Sequence, residues 1–137
     1  MEKKIVLDTY ALICYLQDEP GADEVEALFE KAQGNEVGLL LNVVNLTEVR
    51  YIIERRLGES AANEFIATLP TLPVTIVDVG QPLALLAGQL KAKTSISLGD
   101  CFCAATAIRF QAAVMTGDPE FRKLKDQVDI IWLPSKS

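Results

Sequence analysis

Short runs of hydrophobic residues alternate along the chain with longer stretches in which hydrophobic residues recur every three or four positions. The short runs have the length of β-strands and lack polar alternation, which is typical of strands buried on both faces. The longer stretches are typical of amphipathic helices. This pattern predicts an α/β fold with a mostly parallel central sheet of four to five strands, flanked by helices on both faces.

The predicted elements follow one another from the start of the chain to its end. Strands are predicted at residues 4–7, 37–41, 74–79, 113–115 and 130–133. Helices are predicted at residues 11–16, 22–33, 45–57, 60–68, 83–93 and 101–110, with Pro82 as the first helical residue of the fifth and a short helical turn after Pro119. No repeat, linker or block of charge divides the chain, so we expect one domain over residues 1–137.

The composition narrows the possible chemistry. Half of the 137 residues are hydrophobic and none is histidine, which excludes Ser-His and Cys-His catalytic pairs and His-ligated metals. Three cysteines, Cys14, Cys101 and Cys103, are an odd and sparse set that favours a reducing cytoplasm, and the last two are expected to pack in the core. No apolar run approaches the roughly 18 residues that a spanning helix needs, so we expect no membrane contact.

The net charge of −6 argues at first against a protein that binds nucleic acid by being basic. Its distribution changes that conclusion. Residues 18–36 contain seven acidic residues and one lysine, so the rest of the chain sums to zero. The negative charge therefore describes one acidic helix and its flanks, which we expect to lie away from any nucleic acid.

Four acidic residues fall where the predicted fold would place a functional edge. They follow or adjoin the ends of strands or the starts of helices, and they are Asp8, Glu48, Asp100 and Asp118. Right-handed crossovers bring the carboxyl ends of parallel strands to one edge of a sheet. We therefore expect the four side chains to face one pocket.

Each of these acids also has a structural explanation as a helix cap, because acidic side chains are favoured at helix N-termini. Asn45 and Glu48 have the spacing of a capping box or a close relative of it. Ser97 and Asp100 have the same spacing, and Asp118 precedes a proline as a cap would. Caps do not need to converge on one edge beside apolar strands, however, so the joint pattern favours a site.

Four carboxylates at one edge of a sheet require a cation. Carboxylates within about 4–6 Å of one another repel and partly protonate unless a positive charge lies among them. Oxygen ligands without histidine or cysteine suit a hard ion, Mg²⁺ or Mn²⁺. Such an ion keeps positions open for water and phosphate, an arrangement typical of phosphoryl-transfer and nuclease sites.

The four acids lie in four short motifs: VLDT at residues 6–9, NLTEV at 45–49, SLGD at 97–100 and TGDPEF at 116–121. In order and spacing these motifs resemble those of the PIN-domain ribonucleases, and most closely the small VapC-type toxins of toxin–antitoxin systems. The resemblance covers nearly the whole chain. It implies a PIN-like domain and a metal-dependent endoribonuclease, the toxin of a type II pair, that hydrolyses RNA phosphodiesters through metal-activated water.

The resemblance also implies roles for the acids and a cofactor. By position, Asp8, Asp100 and Asp118 become metal-binding carboxylates, and Glu48 becomes a ligand directly or through water, so that all four are catalytic. The cofactor would be one or two Mg²⁺ or Mn²⁺ ions. Cleavage would leave a 5′-phosphate and a 3′-hydroxyl.

Other residues near the motifs receive supporting roles from the same resemblance. Thr116 would be a hydroxyl beside the site, Thr9 a helper and Glu120 an acid in the layer behind the ligands. Arg50 is the candidate for an RNA phosphate contact, because it follows Glu48 closely in sequence, although a separation of two residues places it on a different helix face.

Two alternatives are open from the sequence. A receiver-like signalling domain also has an acidic Mg²⁺ pocket, but it needs paired acids near the start and a late lysine, and neither 6–8 nor 115–117 provides them. A catalytically silent PIN fold that acts as a binding module would have no need for all four acids together.

The implied partners are an RNA substrate, a cognate antitoxin and a second copy of the chain in a homodimer. The apolar helices at residues 11–16 and 45–57 are the expected docking surfaces, as grooves that receive a partner helix.

Overall fold

The computed structural model describes residues 3–134 and contains a five-stranded sheet covered by helices. The strands are β1 (Lys3–Leu7), β2 (Val37–Asn42), β3 (Thr75–Val77), β4 (Ala113–Thr116) and β5 (Ile130–Trp132). The helices are α1 (Thr9–Leu16), α2 (Ala22–Gln33), α3 (Val43–Leu57), α4 (Glu59–Thr68), α5 (Gln81–Lys93) and α6 (Leu98–Phe110). Short 3-10 helices span Leu69–Thr71 and Pro119–Leu124.

All pairings in the sheet are parallel, and the strand order is β3-β2-β1-β4-β5. At the centre, Val6 of β1 pairs with Leu40 of β2 on one side and with Val114 of β4 on the other. The predicted parallel sheet is therefore confirmed, with five strands. The carboxyl ends of β2, β1 and β4 lie side by side, and each leads directly into a helix.

Two hydrophobic cores lie on opposite faces of this sheet. On one face Ile5 and Leu7 of β1 pack with residues of α1 to α4. On the other face Val6 packs with residues of α5, α6 and the 3-10 helix at Pro119–Leu124. This alternation along β1 explains its uninterrupted apolar sequence, because each face of the strand is buried. The prediction of helices on both faces is confirmed.

The predicted start of α3 is wrong, and the error bears on the site. Helix α3 begins at Val43, two residues before the predicted start, because the side chain of Asn42 caps it by accepting a hydrogen bond from the Val44 amide at 2.8 Å. Asn45 therefore lies inside the first turn, and its interpretation as the cap of a box with Glu48 is wrong.

Other elements also differ from their predicted bounds. Helix α6 starts at Leu98, so its predicted start at residue 101 is wrong by three residues. The reason is that Ser97 caps the helix by accepting from the Asp100 amide at 3.2 Å, which confirms that predicted cap. Strand β3 stops at Val77 because its one neighbour, β2, ends at the paired residue Asn42 and turns into α3. Helix α5 begins one residue before Pro82. No helix within residues 3–134 is long and apolar enough to cross a membrane.

Candidate active site

Three neighbouring strands and one helix N-terminus deliver the four predicted acids to one edge of the sheet. Asp8 follows β1, Asp118 follows β4 and Glu48 lies in the helix after β2, while Asp100 lies in the first turn of α6. Their electrostatic influence on one another shows that they are neighbours. Asp100 and Asp118 both raise the pKa of Asp8, and Asp118 and Glu48 raise that of Asp100. The four acids therefore lie at one edge of the sheet, and that their side chains face one pocket stays a prediction.

Asp8 is the most deeply buried of the four acids, with 1% of its surface exposed. Its Oδ1 accepts a hydrogen bond from the Ala11 amide at 2.7 Å, which caps α1, and its Oδ2 accepts one from the Thr116 hydroxyl. Burial is the largest influence and raises the pKa of Asp8 to about 8, against the lowering effect of these two hydrogen bonds. The protein thus holds a carboxyl group where a negative charge is costly.

Asp100 is partly exposed at the start of α6. Burial first, and then the charge of Asp118, raise the pKa of Asp100 to about 6, while a hydrogen bond with Ser97 lowers it. Glu48 and Glu120 add smaller raising effects. The charges that raise the pKa values of Asp8 and Asp100 are therefore all those of neighbouring carboxylates.

The turn after β4 connects Asp118 to Asp8. The Thr116 hydroxyl donates to Asp8 and accepts from the Asp118 amide at 2.9 Å. Asp118 in turn accepts from the Glu120 amide at 3.0 Å and caps the 3-10 helix, as predicted. Gly117 is required between them, because a Cβ there would lie 2.3 Å from the ring of Tyr10 on α1. Thr116 therefore positions two of the four acids.

Glu48 lies against the first turn of α6. Its Oε1 accepts from the Thr9 hydroxyl at 2.6 Å and from the Asn45 side-chain amide at 3.1 Å. A Cβ at position 99 would lie 2.4 Å from both carboxylate oxygens, so Gly99 is what allows this approach. Neither the amide of Asn45 nor the bare backbone of Gly99 was recognised in the sequence as part of the site. Their membership in the NLTEV and SLGD motifs was the available signal.

The other two predicted residues lie at the periphery and have ion-pair partners. Glu120 pairs with Lys123 at 2.7 Å, and Lys123 also donates to the Ser95 hydroxyl at 2.7 Å in the segment before α6. Arg50 pairs with Glu54 at 2.6 Å along α3 and contacts Asn63 of α4 at 3.2 Å. The guanidinium of Arg50 is therefore engaged at the α3–α4 surface.

The donor set suits a hard divalent cation. The four acids provide oxygen atoms, and neighbouring carboxylates raise the pKa values of Asp8 and Asp100. Burial first, and then the charges of Asp8, Asp100 and Glu48, also raise the pKa of the Cys103 thiol well above its usual range. That thiol stays protonated and leaves the oxygen atoms as the available ligands. Within residues 3–134, however, no group of three or more acidic or thiol side chains is arranged so that it could hold a metal ion.

A family model for the PIN domain matches residues 5–127. The chain belongs to the PIN domain family. The match spans β1 to the residues just after the second 3-10 helix, and so contains the whole acidic edge. Membership in the PIN family sets aside the receiver-like alternative.

Individual PIN relatives extend over nearly the whole chain. The chain is 29% identical over 129 residues to "Ribonuclease VapC30" from Mycobacterium tuberculosis, which covers 89% of this chain and 91% of the relative. The fold of the present chain is similar to that of a chain in a crystal structure of VapBC2 from Rickettsia felis bound to a promoter DNA fragment. The TM-score is 0.75 at 15% identity, and the match covers 93% of this chain and 97% of the other. A toxin–antitoxin complex from Klebsiella pneumoniae gives a TM-score of 0.67, 15% identity and coverage of 93% and 95%.

Proposed function

We propose that this PIN protein is a metal-dependent endoribonuclease and the toxin of a toxin–antitoxin pair. The observation that carries the proposal is the convergence of four acids on one edge, two of them with pKa values raised to about 8 and about 6. Raised carboxyl pKa values beside other carboxylates are the signature of a site prepared for a cation. The ribonuclease name of the M. tuberculosis relative supports RNA as the substrate class.

In this proposal Asp8, Asp100 and Asp118 hold the cation, which is Mg²⁺ or Mn²⁺ in one or two copies, and Glu48 binds it directly or through water. When bound, the ion supplies an activated water and offsets developing negative charge at neutral pH, without a histidine base. Asp8 is held rigidly by the Ala11 amide and the Thr116 hydroxyl. These two hydrogen bonds hold the Asp8 carboxylate in one position, so it would fix where the cation binds.

The supporting residues follow from their contacts. Thr116 orients Asp8 and the start of the Asp118 turn, and Thr9 orients Glu48. Glu120 lies behind Asp100, whose pKa it raises. A phosphate contact by Arg50 stays a prediction, and it would require the arginine to exchange its pairing with Glu54.

The proposed antitoxin has a docking surface on the helical face that was expected from the sequence. A groove of about 290 Å³ lies between α1, α3 and α4 and is lined by Leu16, Ile53, Leu57 and Phe65. Leu57 is 62% exposed there. An amphipathic helix of the antitoxin would cover these side chains. A homodimer, a single domain over residues 1–137 and a cytoplasmic location complete the proposal.

The test is RNA cleavage by the purified chain without its antitoxin. Cleavage is expected with Mg²⁺ or Mn²⁺, loss of cleavage with EDTA, and recovery when the ion is added back. Asp100→Asn should be inactive under the same conditions, while Asp78→Asn, an exposed acid after β3, serves as the matched control and should cleave normally. End-group analysis should find 5′-phosphates. Intact RNA in every reaction would contradict the proposal and favour a silent binding module.

A further inference from the structure

Asn45 connects three elements of the site through one side-chain amide. Its Nδ2 lies 3.1 Å from Oε1 of Glu48, 3.2 Å from the hydroxyl of Thr9 and 3.1 Å from the carbonyl oxygen of Gly99. These contacts reach from α3 to α1 and to the first turn of α6. Asn45 has no exposed surface, so its interactions are made entirely within the protein.

The orientation of this amide follows from its neighbours. Glu48 and Gly99 offer oxygen atoms that accept hydrogen bonds, and the hydroxyl hydrogen of Thr9 is already donated to Glu48. Turning the amide over would place its oxygen against three other oxygens. The NH₂ group therefore faces Glu48, and the opposite atom, Oδ1, is buried with no hydrogen-bond partner in the described part of the chain.

A second buried asparagine shows what a structural role looks like. Asn42, three residues earlier, uses both ends of its amide: Oδ1 accepts from the Val44 amide and Nδ2 donates to Thr106 at 2.8 Å. Asn42 thereby caps α3 and attaches it to α6. Asn45 leaves its acceptor unsatisfied, which costs stability. Its hydrogen bonds instead serve a carboxylate at the site.

The two donors on Glu48 select one of its oxygens. Thr9 and Asn45 both donate to Oε1, while Oε2 receives no hydrogen bond from residues 3–134. We propose that Asn45 is a positioning residue, which fixes Glu48 through Oε1 and leaves Oε2 as the oxygen available to the cation. This inference rests on the proposed function. It deepens that proposal by assigning the orientation of one ligand to an uncharged side chain.

Asn45 also sets the distance between two ligands on different helices. By donating to the Gly99 carbonyl, it attaches α3 to the turn of α6 that contains Asp100. The Thr9 hydroxyl alone could not do this, because its hydrogen bond reaches only Glu48. Loss of the Asn45 amide should therefore weaken the binding of a cation that needs both carboxylates.

The experiment is a double-mutant cycle read out by calorimetric titration of the full chain with Mn²⁺. Asn45→Ala should weaken Mn²⁺ binding by about 10-fold or more, as loss of a residue that orients a ligand does. In the Glu48→Ala background the same substitution should change binding by less than about twofold, because the residue acts through Glu48. Equal losses in both backgrounds, or wild-type affinity of Asn45→Ala, would overturn the inference.

Asn42→Ala is the matched control, since it removes an equally buried amide from the same segment. It should lower the melting temperature and leave Mn²⁺ affinity within about twofold of the wild type, because it touches none of the proposed ligands. Should Asn45→Ala not fold, Asn45→Ser is used in the same cycle. An equal loss of Mn²⁺ affinity in Asn42→Ala would show that general loosening of α3 is sufficient, and would also overturn the inference.

RNA cleavage by the same proteins separates this inference from the proposed function. For a cleaving wild type, Asn45→Ala should lower kcat and leave KM for RNA nearly unchanged, because the amide orients a ligand and does not bind the substrate. If the Mn²⁺ cycle shows coupling but no protein cleaves RNA, the positioning role stands and the ribonuclease proposal fails. If the wild type does not bind Mn²⁺, both fail.

Discussion

Helix α2 and the carboxyl edge of the sheet both concentrate acidic residues, yet their surroundings are opposite. On α2, the side chains of Asp23, Glu24, Glu26 and Glu30 are exposed, and the helix buries its apolar face. At the sheet edge, Asp8 is 1% exposed and lies among other carboxylates. The acids of α2 are hydrated and screened by salt, whereas Asp8 is neither.

The net charge of a protein therefore says little about whether it acts on nucleic acid until its charged residues are sorted by environment. A hydrated carboxylate on α2 keeps its charge at little cost. A buried carboxylate such as Asp8 either holds a proton or requires a cation. Its pKa is raised to about 8 because the charged form is costly without that cation. The chemistry of the protein follows from the second group of acids, although the first group accounts for its total charge.

The largest effect is expected from neutralising the buried acid. Asp8→Asn keeps the shape of the side chain and an acceptor for the Ala11 amide, but it removes a charge that would hold the cation. RNA cleavage should fall by at least about 100-fold. The measurement is initial cleavage rate at saturating Mn²⁺, with circular dichroism as a check on folding. Cleavage within tenfold of the wild type would contradict a ligand role for Asp8.

The second effect is on stability and depends on pH. An unfolded Asp8 titrates near 3.8, whereas in the folded, ion-free protein its pKa is about 8. Between these values the folded state holds a proton that the unfolded state has lost, so the free energy of unfolding should fall as pH rises. The slope due to Asp8 is at most about 1.4 kcal/mol per pH unit. The raised pKa of Asp100 adds to the fall below about pH 6.

Urea unfolding from pH 5 to pH 8 in EDTA measures this dependence. Asp8→Asn removes the titrating group, so its stability should vary less with pH than that of the wild type. Saturating Mn²⁺ should oppose the fall, because the ion binds the deprotonated carboxylates of the folded state. A wild-type stability that rises with pH in EDTA would show that the buried edge does not control the pH dependence.

Much of this fold could be predicted from the sequence because burial on both faces produces uninterrupted apolar strands. Helix α2 was predicted with its observed bounds. The start of α3 was missed, since both Asn42 and Asn45 are good caps and the sequence does not distinguish them. A tertiary contact distinguishes the two asparagines, because Asn42, the observed cap, also donates to Thr106 of α6, a residue 64 positions away.

At the site, the residue types that carry charge could be predicted, and the residues that provide space and orientation could not. Asp8 and Asp118 follow strands, so their convergence is implied by a parallel sheet. Gly99 matters because the carboxylate of Glu48 lies where a Cβ would be. That requirement depends on how α3 packs against α6, which local patterns do not encode.

The third prediction tests this packing at the edge. Gly99→Ala would place a methyl group 2.4 Å from the carboxylate of Glu48 and force that carboxylate to move. RNA cleavage should fall on the order of tenfold. Gly88→Ala in α5 is the matched control, because a Cβ there meets no atom within 4 Å. This control should keep full activity and gain about 0.5–1 kcal/mol of stability, since alanine favours a helix interior. Equal activity of the two variants would contradict the close approach.

The smallest effect is expected from the other acidic region. The double variant Glu26→Gln and Glu30→Gln removes two exposed charges from α2 and touches no residue of the edge. Cleavage should stay within about twofold of the wild type at physiological salt, because solvent and ions screen these charges beyond roughly 8 Å. The measurement is the cleavage rate at low and at physiological ionic strength. A large gain in rate that persists at the higher ionic strength would show that α2 lies against the RNA, and the two acidic regions would then act on the same substrate.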